Sequence, residues 1–176
     1  MTMQPGGGGI IEETGKFFIE LFLMYIFIAF LFIPGIGLLV GVKEPIGAVM
    51  SDSMEHNGNF TNWWEVHGLQ YDRWNITKEE FQEFPFKNGV NTGDLVLFKA
   101  AKDIKIGDVI VFKDFNGKSL LHRVVSINPI NTQGDANYEQ LPNRENNINN
   151  SMIRGKILFK IPYLGWVRIG VEKFLN

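Results

Sequence analysis

The chain of 176 residues carries a net charge of −2 and a pI near 5.9, enough for one folded domain plus an appendage and without a basic footprint for nucleic acid. It has no cysteine, which excludes thiol catalysis, disulfide staples and cysteine-ligated zinc or iron–sulfur sites. Its three histidines, His56, His67 and His122, form no His-Glu-x-x-His pair, and no metal site or cofactor is expected.

Residues 1–16, with the Gly6 to Gly9 run, read as a flexible tail. From Phe17 to Val42 the only charge is Glu20, and roughly 20 apolar residues in a helix suffice to span a bilayer. A cleaved leader would have a shorter apolar region after a basic start; this run is longer and follows Glu12 and Glu13, so 17–42 reads as a retained single-pass anchor. Pro34, Gly35, Gly37 and Gly41 predict a kink or an end in its second half. Lys16 before it and Lys43 after it cancel, so basic residues do not orient it.

After Val42 the pattern changes to short strands between turns, and 43–176 reads as a mainly β, antiparallel domain. Leu95 to Phe98, Asp108 to Phe112, Leu120 to Ile127 and Met152 to Ile161 fit half-buried strands of period two. Asn116-Gly117 predicts a hairpin between the second and third of these. Thr77-Lys78-Glu79-Glu80-Phe81 has capping-box spacing and predicts a short helix. It lies in an insertion, 57–89, carrying Phe60, Trp63, Trp64, Tyr71, Trp74, Phe81, Phe84 and Phe86. Those rings form either a small cluster of their own or a belt at the membrane interface. Asn143 to Asn150 reads as a low-complexity loop, and Pro162 to Trp166 as an apolar segment for lipid or core.

Ser53, His122 and Asp135 are the residues on which chemistry can be built. A serine hydroxyl needs a neighbouring base to take its proton, and an imidazole supplies one near neutral pH. A carboxylate behind the imidazole would fix its tautomer, and a backbone N–H near Ser53 with the Ser51 hydroxyl would meet an oxyanion. Each part also has a plain structural reading: Ser53 in a turn, His122 satisfied in a core strand, Asp135 bonding its own turn.

Ser51-Asp52-Ser53-Met54-Glu55 resembles the serine box of type I signal peptidases. Asn91 to Val96 resembles their next box, Leu121-His122-Arg123-Val124-Val125 the box of the general base, and Thr132-Gln133-Gly134-Asp135-Ala136-Asn137 the last. The four boxes stand in family order and, with the anchor, cover most of the chain. Bacterial members carry lysine at the position of His122, so the resemblance is to the archaeal and endoplasmic-reticulum branch, whose base is histidine. It implies a signal-peptidase-like β catalytic domain, Ser53 as nucleophile, His122 as base, Met54 shaping the floor of the site and Ser51 near the oxyanion. Two positions depart from the pattern: His56 stands where many members have proline, and Leu141 where many have a second aspartate six residues after Asp135. The third carboxylate is therefore expected at Asp135, with Glu139 and Glu145 as alternatives.

The resemblance further implies removal of signal peptides after small residues, with preproteins, the bilayer and the protein-export channel as partners. It also implies an outward-facing domain on the cell membrane. The competing expectation is a non-catalytic, membrane-tethered β module, such as an accessory subunit of an export complex. A self-cleaving repressor-like protease would call for a DNA-binding segment and a lysine base, and the anchor and His122 argue against it.

Overall fold

The computed structural model describes residues 8–175. Of the expected tail, residues 1–7 lie outside the described residues, and from Gly8 the chain is already helical. Helix α1 (Gly8–Phe27) runs through a π-helical segment (Ile28–Phe32) into α2 (Ile33–Val40). Pro34 has no backbone N–H to give. The wider turn before it, in which Ile33 N–H reaches Ile28 O, carries the helix through the proline instead of stopping it. The end comes at Gly41, whose φ of +74° suits glycine and closes the last turn. Within this run, Glu12–Val40 is the one stretch among the described residues long and apolar enough to cross a membrane, and its side chains are almost all exposed.

The remaining elements are β1 (Ile46–Ala48), α3 (Phe60–His67), α4 (Leu69–Asp72), α5 (Lys78–Gln82), β2 (Leu95–Lys99), β3 (Val109–Lys113), β4 (Ser119–Ile127), β5 (Ile130–Gln133), a 3₁₀ turn (Asn150–Met152), β6 (Ile153–Ile161) and α6 (Gly165–Leu175). The six strands form one antiparallel sheet in the order β1-β2-β6-β3-β4-β5. Helix makes up 36% and strand 21%, so the fold is mixed, which corrects the expectation of a mainly β chain. The apolar N-terminal helix, the insertion and α6 supply the difference. The four expected strands are present; β1 and β5 are additional and short, so alternation over them was too brief to read. Ala100 N–H donates to Val40 O (2.8 Å) and Phe98 N–H to Pro45 O (2.7 Å), which fastens the end of the apolar helix to β2.

Strand β4 departs from simple alternation, because His122, Arg123, Val124 and Val125 are all buried. Both of its faces are covered. Ile110 lies opposite His122, and Ile110 and Val124 pack with Phe112 and Ile148 on one side. On the other, Val125 packs with Trp63, Tyr71, Ile76 and Phe81 of the insertion. Aromatic residues of 57–89 thus turn inward onto the sheet: Trp63 is 3% and Phe81 0% exposed, and Phe60, Trp64, Trp74 and Phe84 pack half-buried against them, so these rings form a cluster of their own. Local signals start each insertion helix. Asn59 caps α3 by accepting from Asn62 N–H, and Thr77 and Glu80 form the expected capping box of α5.

Helix α6 docks Ile169 inward, and Trp166 packs over Gly93, whose φ is +86°. Its outer face leaves Val167, Val171 and Phe174 exposed, as β6 leaves Leu158 and Phe159.

Candidate active site

The segment from Val49 to His56 crosses from β1 to the insertion as an irregular loop, and backbone bonds hold it at both ends. Val49 N–H donates to Asp94 O (2.9 Å), Val90 N–H to Met54 O (2.9 Å), and Ala136 N–H to Ser53 O (2.8 Å). Thr92 N–H donates to the Glu55 carboxylate (2.8 Å). These bonds explain why the serine box, the Asn91–Val96 segment and the Gly134–Asn137 turn belong together: they form one backbone frame around Ser53.

Ser53 Oγ lies 3.0 Å from His122 Nε2, although the residues are 69 positions apart. Behind the ring, His122 Nδ1 is hydrogen-bonded to Glu145 Oε1. The other oxygen of Glu145 accepts from Leu141 N–H. Facing a carboxylate, Nδ1 carries the hydrogen and donates it, which leaves the Nε2 lone pair toward the serine hydroxyl. His122 and Glu145 are buried, while Ser53 is half-buried and reachable from solvent. Ser51 Oγ stands 3.3 Å from Ser53 Oγ, and among the described residues Ser53 N–H has no hydrogen-bond acceptor. The Ser53 N–H is therefore free to meet an oxygen anion, and the Ser51 hydroxyl stands beside the nucleophile, bonded to its Oγ.

Glu145 is held firmly despite its Asn-rich surroundings. Thr132 N–H donates to Glu145 O (2.9 Å), Ile148 N–H to Ile130 O (2.8 Å), and Arg144 pairs with the buried Asp114 of the β3–β4 loop (2.5 Å). Ile148 fills the core beside Ile110. The expected low-complexity loop is thus laid along β5 with a carboxylate pointing inward.

The expectation of Asp135 behind His122 is corrected by this geometry. The Asp135 carboxylate is fully buried and occupied by other groups. Arg123 binds it through Nε (2.9 Å) and Nη2 (2.6 Å), Tyr71 through its hydroxyl (2.7 Å) and His56 through Nε2 (2.9 Å). Arg123 spends its remaining N–H groups on the carbonyls of Pro85, Gly107 and Phe86, so all of its donors are matched. Burial alone would push the Asp135 carboxyl up; the Arg123 guanidinium, aided by His56, outweighs it and holds the group down to about 2. Burial would likewise lower Arg123, and the Asp135 carboxylate outweighs it and raises it. Burial, with Asp135 adding to it, raises Tyr71 well above its ordinary value, so that hydroxyl stays a donor.

Glu139 is exposed and makes no contact with His122. Met54 is 1% exposed and packs in the core with Val90 and Val96, so it supports the serine loop from below instead of opening onto a cleft. Its sulfur accepts from Asp135 N–H (3.4 Å). His56 turns away from Ser53 toward Asp135, its ring stacked on Trp63 at 3.6 Å.

A strand edge lies open beside the site. Val124 N–H donates to Asp108 O and Val124 O accepts from Gly107 N–H, both on the β3 side, so alternation turns the N–H and C=O of Leu121 to the opposite side. There β5 pairs with β4 only from Arg123 to Ile127. Among the described residues the backbone at Leu121 is unpaired on that side, immediately before His122.

No group of three His, Asp or Glu side chains among the described residues is placed to hold a metal ion. The chain matches no protein-family model and no curated protein.

Proposed function

We propose that this chain is a membrane-bound serine endopeptidase of the signal-peptidase type, removing N-terminal signal peptides from preproteins after small residues. The observation that carries the reading is the relay from Ser53 Oγ through His122 to Glu145, in which every hydrogen bond has the polarity that general-base catalysis requires. Ser53 attacks the scissile carbonyl as its proton passes to His122 Nε2, and Glu145 stabilises the imidazolium. The developing oxyanion meets Ser53 N–H and the Ser51 hydroxyl. Collapse breaks the C–N bond, with His122 returning the proton to the leaving amine. Water, activated by the same imidazole, then releases the acyl group from Ser53.

An extended peptide substrate is supported by the free edge at Leu121, where an added strand would bring its carbonyl toward Ser53. A substrate that arrives in the bilayer is supported by the anchor fastened to β2 and by the exposed apolar face of α6 and β6. By resemblance the amino terminus stays inside and the domain faces outward, with the export channel as a neighbour. The accessory-module reading drew on Leu141 at an expected acidic position; Glu145 supplies a carboxylate in its place, and that support falls away. The test is processing of a preprotein with an Ala-x-Ala site by the detergent-solubilised chain beside Ser53→Ala. Cleavage by the wild type alone supports the peptidase, and a well-folded wild type that cuts none of several such preproteins in native lipid refutes it.

A further inference from the structure

The insertion 57–89 does more than cover one face of the sheet, because its side chains end on the group that holds the nucleophile. Four segments distant in sequence meet on one carboxylate: His56 after the serine box, Tyr71 from α4, Arg123 from β4, and Asp135 itself in the turn after β5. Gln70, also from α4, donates to the Asp135 carbonyl (2.8 Å). The next residue, Ala136, donates its N–H to the Ser53 carbonyl (2.8 Å), and Gly134 packs so closely that a Cβ there would lie 3.0 Å from the same oxygen.

A mechanical path therefore runs from the insertion, with His56 just before it, to the nucleophile in two steps, Tyr71 and His56 to Asp135, and the Asp135 turn to Ser53. Trp63 of α3 backs the path, its ring parallel to His56 within 6° and packed against Phe81 at 5.0 Å. Phe81 in turn lies 4.6 Å under the Arg123 guanidinium. His56 has room for no other arrangement: it is 5% exposed, and Gly89 packs against its ring so that a Cβ there would lie 2.8 Å from it.

We infer that the insertion is a clamp on the nucleophile, and that Tyr71 and His56 are positioning residues for Ser53, acting through Asp135 although neither touches Ser53 or His122. This rests on the peptidase reading for its effect on cleavage, but the clamp itself is a statement about geometry at His122. A nucleophile displaced by a fraction of an ångström loses rate and not substrate affinity.

The test uses the full-length chain in detergent with three measurements: preprotein cleavage split into kcat and KM, thermal midpoint, and the nitrogen resonances of ¹⁵N-labelled histidine at His122. Tyr71→Phe keeps the ring and removes one hydrogen bond; His56→Phe keeps the stack and removes another. Each is expected to lower kcat roughly tenfold, with KM changed by less than about twofold, and to shift the His122 Nε2 signal. His56→Gln keeps an N–H for Asp135 and should restore most of the rate. Ile76→Val loosens the same aromatic core without touching Asp135, and should lower the thermal midpoint while leaving kcat and the His122 signal in place. If both Phe variants lose stability as Ile76→Val does, yet keep the wild-type kcat and His122 signal, the clamp is refuted. If the wild type cuts nothing, the peptidase reading fails, and the His122 shift alone decides the clamp: its presence supports it and its absence overturns it.

Discussion

Replacing Glu145 by glutamine changes one atom and separates the two buried carboxylates by their roles. Glu145 accepts two hydrogen bonds, from His122 Nδ1–H and from Leu141 N–H. An amide has only one oxygen, so whichever way it turns, one N–H faces another. If the amide nitrogen faces His122, the imidazole must carry its hydrogen on Nε2 and cannot take a proton from Ser53. If it faces Leu141, the ring keeps its tautomer but loses the charge that stabilises the imidazolium. Either way the loss in kcat should be on the order of 10³–10⁴-fold, as for an orienting carboxylate turned into an amide. One unsatisfied buried N–H costs about 1–3 kcal/mol, which leaves a folded protein. Asp135→Asn should behave in the opposite sense. It leaves the buried Arg123 guanidinium without its counter-charge, at about 3–5 kcal/mol, so destabilisation precedes any loss of chemistry. Preprotein cleavage and urea unfolding, measured side by side, decide the matter. If Glu145→Gln is folded and within tenfold of wild type, or if Asp135→Asn is fully stable and inactive, the assignment of the two carboxylates is wrong.

Ser53→Ala and His122→Ala should each abolish nearly all cleavage with little change in unfolding midpoint, and the double variant should be no slower, because the two act as one unit. Arg123→Met should destabilise by about 3–5 kcal/mol in urea, as an unpaired Asp135 is left in the core. Acid should do the same reversibly. The Asp135 carboxyl is held at about 2 against an ordinary 3.8, so its ionised form contributes stability above about pH 4 that is lost as pH falls toward 2. At 1.36 kcal/mol per unit this is about 2 kcal/mol, and Asp135→Asn should flatten that part of the pH–stability curve. Gly93→Ala would place a methyl 2.0 Å from Trp166 Nε1 at a φ of +86°, and should undock α6, seen as a red shift in tryptophan emission with a loss of about 1–3 kcal/mol.

The long apolar N-terminal helix, four of the strands and the α5 capping box were legible because each is a local property: an apolar run, a period, a pair of side chains three residues apart. The short strands β1 and β5 were not, since three or four residues carry too little alternation to stand out. Burial on both faces of β4 was also hidden, because it depends on what the insertion does and not on β4 itself. Ser53 and His122 were within reach of motif reading, and the structure brings them together. Glu145 was harder to single out. Its one signal was an acid beside Arg144 and three residues before Ile148, the apolar residue within an Asn-rich run, which marks a segment with one side facing inward.

Sequence by itself therefore determined the kinds of groups available and the elements that carry them. Which carboxylate serves His122 was decided only by tertiary structure. Asp135 and Glu145 are chemically alike, and what separates them is the partner each meets on folding. Arg123 stands next to His122 on β4, so its side chain leaves by the opposite face, and it draws Asp135 there with Tyr71 and His56. That leaves the face of His122 to the segment pinned along β5, from which Glu145 reaches the ring.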